Sequence, residues 1–104
     1  MSEITELKMA PDLMPSVNNG TKRITIRTGI RDIRLHKNLL IKNATNSKDT
    51  HMVVPKVIVF STLGEIPLNF LVEDGFENHR DALEQMQQFY PGISLFSVVT
   101  AVCW

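Results

Sequence analysis

Alternation of apolar and polar residues marks the first well-defined element of this chain. In RITIRT, Arg23 to Thr28, Ile24 and Ile26 fall on one side and Arg23, Thr25 and Arg27 on the other, the period-two pattern of a half-buried strand. Asn18-Asn19-Gly20 just before it is a strong turn signal. Upstream, Pro11 and Pro15 argue against one long helix and leave a short helical turn over Asp12 to Val17. A second strand is expected at Asn38 to Lys42, carrying Leu39-Leu40-Ile41, and the polar NATNSKDT that follows reads as turn-rich. A third strand lies within HMVVPKVIVFS, where Pro55 lacks a ladder donor and implies an edge, a bulge or a break. Pro67 suits the start of a short helix through Glu73, with Gly75 as its C-terminal cap. A second helix is predicted from Asn78 as cap, with Asp81 three residues on. It buries Leu83, Met86 and Tyr90 and stops before Pro91-Gly92. Ser94 to Trp104 reads as a final strand. Strands at both ends with helices grouped late predict an α+β domain around a small, mostly antiparallel sheet or barrel with short flanking helices.

At 104 residues, 43% hydrophobic and 21% charged, the chain suits one globular domain, 1–104, with residues 1–10 as the flexible part. No apolar run approaches the roughly 20 residues of a membrane span, and MSEITELK lacks the apolar core of a signal peptide. The expectation is a cytoplasmic protein without membrane attachment. Cys103, the only cysteine, lies in an apolar run and reads as a buried, inert thiol. His36, His51 and His79 are too scattered for a metal-binding motif, so neither metal nor cofactor is expected.

The formal net charge of zero conceals a segregation. Gly20 to Lys56 holds nine bases against two acids, a net of +7, and Val57 to the end holds six acids against one base, a net of −5. Two readings stand: a solvated surface on which the segments pair, or a basic face for a phosphate backbone. Within the basic segment, Arg31 and Arg34 in GIRDIRLHK are spaced to grip phosphates or to be solvated.

Thr25 and Arg27 share the non-core face of their strand, whereas Lys22, three residues before Thr25, joins them only if it still belongs to the turn. A threonine on a strand is commonly just a β-former. As a nucleophile it needs a base, and a lysine neutralised by burial beside a carboxylate can serve. The candidate carboxylates are Glu73 and Asp74, ahead of Gly75-Phe76, where acids at a helix C-terminus are opposed by the dipole. Backbone N–H groups near Gly20 are candidates to hold an oxyanion. The aromatic residues are mostly core by spacing, with Phe76 and Tyr90 able to stack on a base where exposed.

Gly20-Thr21-Lys22-Arg23-Ile24-Thr25-Ile26-Arg27 presents a glycine, a lysine two residues on and an arginine five further, with a threonine between. Together with STLGEI, EDGF, FYPGIS and the closing VVTAVCW, it resembles the ASCH domain, one of the PUA-like superfamily of RNA-associated β-barrels. The resemblance runs from about Pro11 to the end. It implies a small PUA-like barrel with a cleft over which these residues converge, and RNA or a modified nucleoside as the ligand. For small bacterial members it further implies hydrolysis of cytidine acetylated on its exocyclic amine, with Thr25, Lys22 and an acid at Asp74, one methylene shorter than the usual glutamate, acting together. Glu73 is the alternate acid, and Gly20, Arg27, Arg31, Arg34, Phe76 and Tyr90 are the expected binding residues. Non-catalytic RNA binding and ribonuclease activity occur under the same family name, and the acidic C-terminal half leaves a protein-interaction role as a further alternative.

Overall fold

The computed structural model describes residues 3–104. The chain runs β1 (Glu6–Met9), a turn of 3-10 helix (Pro11–Leu13), α1 (Met14–Asn18), β2 (Ile24–Thr28), β3 (Leu39–Asn43), β4 (Asn46–Val53), β5 (Val57–Thr62), α2 (Leu68–Glu73), α3 (His79–Gln87) and β6 (Val98–Cys103). The strands form two three-stranded sheets, ordered β1-β3-β4 and β2-β6-β5. Among the described residues only the β1–β3 pairing is parallel; β3–β4, β2–β6 and β5–β6 are antiparallel. The expected α+β class and mostly antiparallel pairing hold, but no ladder joins the two sheets into a closed barrel among the described residues. The break falls at Pro55. Without a backbone donor it cannot continue β4, so the chain leaves the first sheet after Val53 and enters the second at Val57.

The second sheet is the middle layer of the molecule. On one side Val102 of β6 packs into a core with Leu7, Met9, Leu39 and Ile41 of the first sheet and Met14 and Val17 of α1. On the other, Val99 and Ala101 join Ile26, Leu71 of α2, and Ala82 and Met86 of α3. Burial on both faces explains why VVTAVC is almost continuously apolar instead of alternating. It also alters the reading of β2. Ile24 and Ile26 are buried as alternation predicts, but Thr25 is only 4% exposed because the first sheet covers its face as well.

Three local expectations are corrected. NATNSKDT is not simply a turn, since β4 begins at Asn46 and runs through it. Its residues are largely exposed, so apolar patterning carries no signal for it, and the turn itself is confined to Asn43–Thr45, where Asn43 Oδ1 accepts from the Thr45 N–H at 2.9 Å. The N-terminal stretch contributes β1, which pairs in parallel with β3 and buries Leu7 and Met9. α3 ends at Gln87, short of Tyr90; its buried pair is Ala82 and Met86, while Leu83, and Tyr90 beyond the helix end, are half-buried against the same core. Asn78 caps that helix as predicted, accepting from the Asp81 N–H at 2.8 Å. No helix among the described residues is long and apolar enough to cross a membrane.

Candidate functional site

β2 pairs with β6 on one side only, leaving its other edge free. Trp104 N–H donates to the Arg23 carbonyl and Gly29 N–H to the Val98 carbonyl, so the backbone groups of the odd-numbered residues between them face β6 and those of Ile24 and Ile26 face the free edge. A cavity of about 600 Å³ runs along that edge, closed on one side by Lys8 to Leu13, omitting Pro11, and on the other by Asp74 to Phe76 and the end of α3.

The turn before β2 delivers Lys22. Gly20 takes a left-handed φ of 84°, a conformation open to glycine at no steric cost, and Asn19 Oδ1 ties back the N–H and hydroxyl of Thr21 at 2.9 and 2.7 Å. Lys22 therefore lies outside the strand register, the condition for it to share a site with Thr25, and both line the cavity. Its ammonium donates to and pairs with Asp74, with both side chains 10% exposed.

Asp74 is fixed by the end of α2. Gly75 adopts φ 96°, and the N–H groups of Gly75 and Phe76 fold back to the carbonyls of Val72 and Leu71, a glycine-terminated helix end that aims the preceding carboxylate at β2. Burial raises the Asp74 carboxyl above the usual carboxylate range. The Lys22 charge and hydrogen bond, the Arg27 charge and the Ile26 N–H oppose that shift without cancelling it. Glu73, one residue earlier, is exposed and outside the cavity lining.

Arg27 spans the site. Its Nε donates to Thr25 Oγ1 at 3.0 Å and its Nη2 to the Lys8 carbonyl at 2.7 Å, binding β2 to β1. Burial lowers its pKa, as does Arg31, while Tyr90 and Asp74 act the other way. With Thr25 Oγ1 accepting from Arg27, the hydroxyl hydrogen remains available to another acceptor.

Phe76 and Tyr90 line the cavity, both half-buried. Arg31 and Arg34 do not. Arg31 donates from Nε to the Thr28 carbonyl and from its backbone N–H to Thr100 Oγ1, and Arg34 is engaged by Asp32 at 2.8 Å and Glu3 at 3.7 Å. Lys37 and Lys42 likewise meet Glu3 and Glu6. Three bases of the segment, Arg34, Lys37 and Lys42, are thus paired with acids of the N-terminal stretch. The Gly20 N–H donates to Val17, Thr21 N–H to Asn19 and Lys22 N–H to Ser16, so this turn offers no free oxyanion donor. Cys103 is half-buried, not buried; burial, and then the charges of Glu73 and Asp74, push its thiol up. No three His, Cys, Asp or Glu side chains among the described residues come together as a metal site.

Sequence reasoning missed Phe89. Spacing places it in the core, yet the residue is 79% exposed at the cavity rim. The available signal was its place beyond the last turn of α3 and just before Tyr90-Pro91-Gly92, where helical periodicity no longer decides which aromatic faces inward.

No protein-family profile matches the chain, and no curated protein matches it significantly. Among solved structures it is similar to a point mutant of ZmASCH from Zymomonas mobilis, with a TM-score of 0.64 and 17% identity over 99% of this chain and 69% of that one. Two small sheets, short helices and a cavity along the free edge of β2 accompany that similarity, and the chain has an ASCH-like fold.

Proposed function

We propose that the cavity along β2 binds one base of an RNA or a modified nucleoside, and that Thr25, Lys22 and Asp74 hydrolyse an acyl amide on its exocyclic amine, acetylcytidine being the concrete substrate. The observation that carries this reading is the desolvated Lys22–Asp74 pair lining the same cavity as a threonine hydroxyl held by Arg27. A lysine acts as a base only once neutral, and an acid raised by burial is a suitable acceptor for its proton. With Lys22 neutral, Thr25 Oγ attacks the acetyl carbonyl and gives its proton to the amine of Lys22. The C–N bond then breaks, Lys22 returns the proton to the departing exocyclic amine, and an acetyl-threonine ester remains. Lys22 then takes a proton from water, whose oxygen attacks that ester, and returns the proton to Thr25 Oγ as the C–O bond breaks and acetic acid leaves, ionising to acetate. Arg27 holds Thr25 Oγ1 and favours its anionic character as the proton leaves.

A binding module without chemistry is the second reading, favoured by one observation: Lys22 is bonded to Asp74 and Thr25 to Arg27, and no hydrogen bond joins Lys22 to Thr25. Incubating the purified protein with acetylcytidine and with short RNAs, and following cytidine, acetate and fragments, separates the possibilities. Equimolar cytidine and acetate support the amidohydrolase. Binding without products supports the module, and RNA fragments alone would assign a ribonuclease instead.

A further inference from the structure

Beside the first cavity lies a second, of about 500 Å³, and the two share Phe89 and Tyr90 as a common wall. The second is lined by Thr28, Gly29, Ile93, Ser97 and Val98, and by Pro91-Gly92. It contains no acidic or basic side chain. The hydroxyls of Thr28, Ser97 and Tyr90 are its polar side-chain groups, and its remaining surface is largely apolar or aromatic. Such a lining does not suit a phosphate, which calls for cations or a cluster of N–H donors. It suits a flat, uncharged ring with a polar edge. Phe89 stands between the two spaces with its ring 79% exposed, a large apolar surface that is costly to leave in water and serves as a stacking platform once a ring lies on it.

Resting on the reading of the first cavity as a base site, we infer that the second cavity receives the neighbouring base of the same strand, so that a segment of RNA two or more nucleotides long binds more tightly than a free nucleoside. Phe89 is then the stacking surface that couples the two subsites. Lys8, exposed where it lines the first cavity, supplies a cation for the intervening phosphate, whereas the lining of the second cavity carries no charge.

Gly92 gives a clean test. It lies in the second cavity and not in the first, a Cβ there meets nothing within 4 Å, and its backbone is not left-handed, so Gly92→Leu adds a bulky side chain to this lining without straining the fold. Calorimetric titrations would compare acetylcytidine, dinucleotides carrying adenine on either side of it, and the same dinucleotides with the adenine removed. Stacking of one further base is worth roughly a five- to hundredfold gain in affinity. The expected result is such a gain for one dinucleotide over both its abasic counterpart and the nucleoside, lost in Gly92→Leu while nucleoside affinity is retained. Phe89→Ala should reduce the same gain. Equal affinity for all three ligands in the wild type, or a gain untouched by Gly92→Leu, overturns the second subsite while leaving nucleoside binding standing. Failure of every ligand to bind overturns the base-site reading and this one together.

Discussion

Asp74 and Asp32 each face a basic side chain, and their carboxyls move in opposite directions. Asp74, paired with Lys22 at 10% exposure, is raised by burial even though Lys22 and Arg27 pull against the shift. Asp32, near the surface, is lowered by its hydrogen bond to Arg34 and by that side chain's charge. The partners are alike in chemistry, and the difference is water. Where solvent reaches both ions, a partner adds to a carboxylate that was already comfortable. Where solvent is excluded, desolvation exceeds what one ammonium returns. A pair of the second kind leaves its acid readier to take up a proton than a free carboxylate, and it is the pair that lines a cavity.

The largest effect expected from this contrast is on turnover. Thr25→Ala and Lys22→Ala should each lower acetylcytidine hydrolysis by a factor of at least about a thousand, read as cytidine release, while Arg34→Ala leaves the rate unchanged. Full activity in Thr25→Ala would remove the nucleophile. Asp74→Glu lengthens the acid by one methylene, and a rise in rate would identify the shorter reach as limiting in the wild type.

Stability should separate the two pairs as well. Replacing Lys22 by Met strands a buried acid and should cost about 3 kcal/mol in denaturant titrations. Adding Asp74→Asn should recover part of that loss, because the pair is coupled. A simple sum of the two single effects would show that the pair is not energetically linked. Thr25→Ala should cost about 1 kcal/mol, since Arg27 loses a hydrogen-bond acceptor at a buried position.

The pH dependence follows with opposite signs. The folded state raises Asp74 above its ordinary value of 3.8, so it favours the protonated form. This contribution to stability is complete below that value and is lost as pH rises through the raised one. Relative to wild type, Asp74→Asn should therefore gain stability as pH rises across that window. Asp32 is lowered from 3.8. Its contribution is present above that value and is lost as pH falls through the lowered one, so Asp32→Asn should differ from wild type least at strongly acidic pH. Melting curves of both variants from acidic to neutral pH check the two signs, and matching slopes would break the comparison.

The smallest effect belongs to the surface cluster itself. Arg34→Ala should barely move the melting midpoint, and added salt should erase what difference there is, because exposed ion pairs are screened. A persistent, salt-insensitive loss would mean that Arg34 has a role beyond Asp32 and Glu3.

The sequence by itself determined the elements whose signals are local. The alternation in RITIRT, the asparagine cap at Asn78, the glycine at position 75 and the turn at Asn18-Asn19-Gly20 each depend on a few neighbouring residues, and each is found where expected. It also placed Lys22, Thr25, Arg27 and Asp74 as candidates, though Glu73 remained an alternative to Asp74. Only the tertiary structure decided between these acids, because the choice depends on which way the end of α2 turns against an edge of β2 more than forty residues distant in sequence. The same holds for β4, whose polar residues become a strand by pairing with β3, and for the two open sheets in place of a barrel. Phe89 shows the limit most plainly. Burial is a property of what packs against a residue, and beyond the end of a helix no periodicity remains to say what that will be.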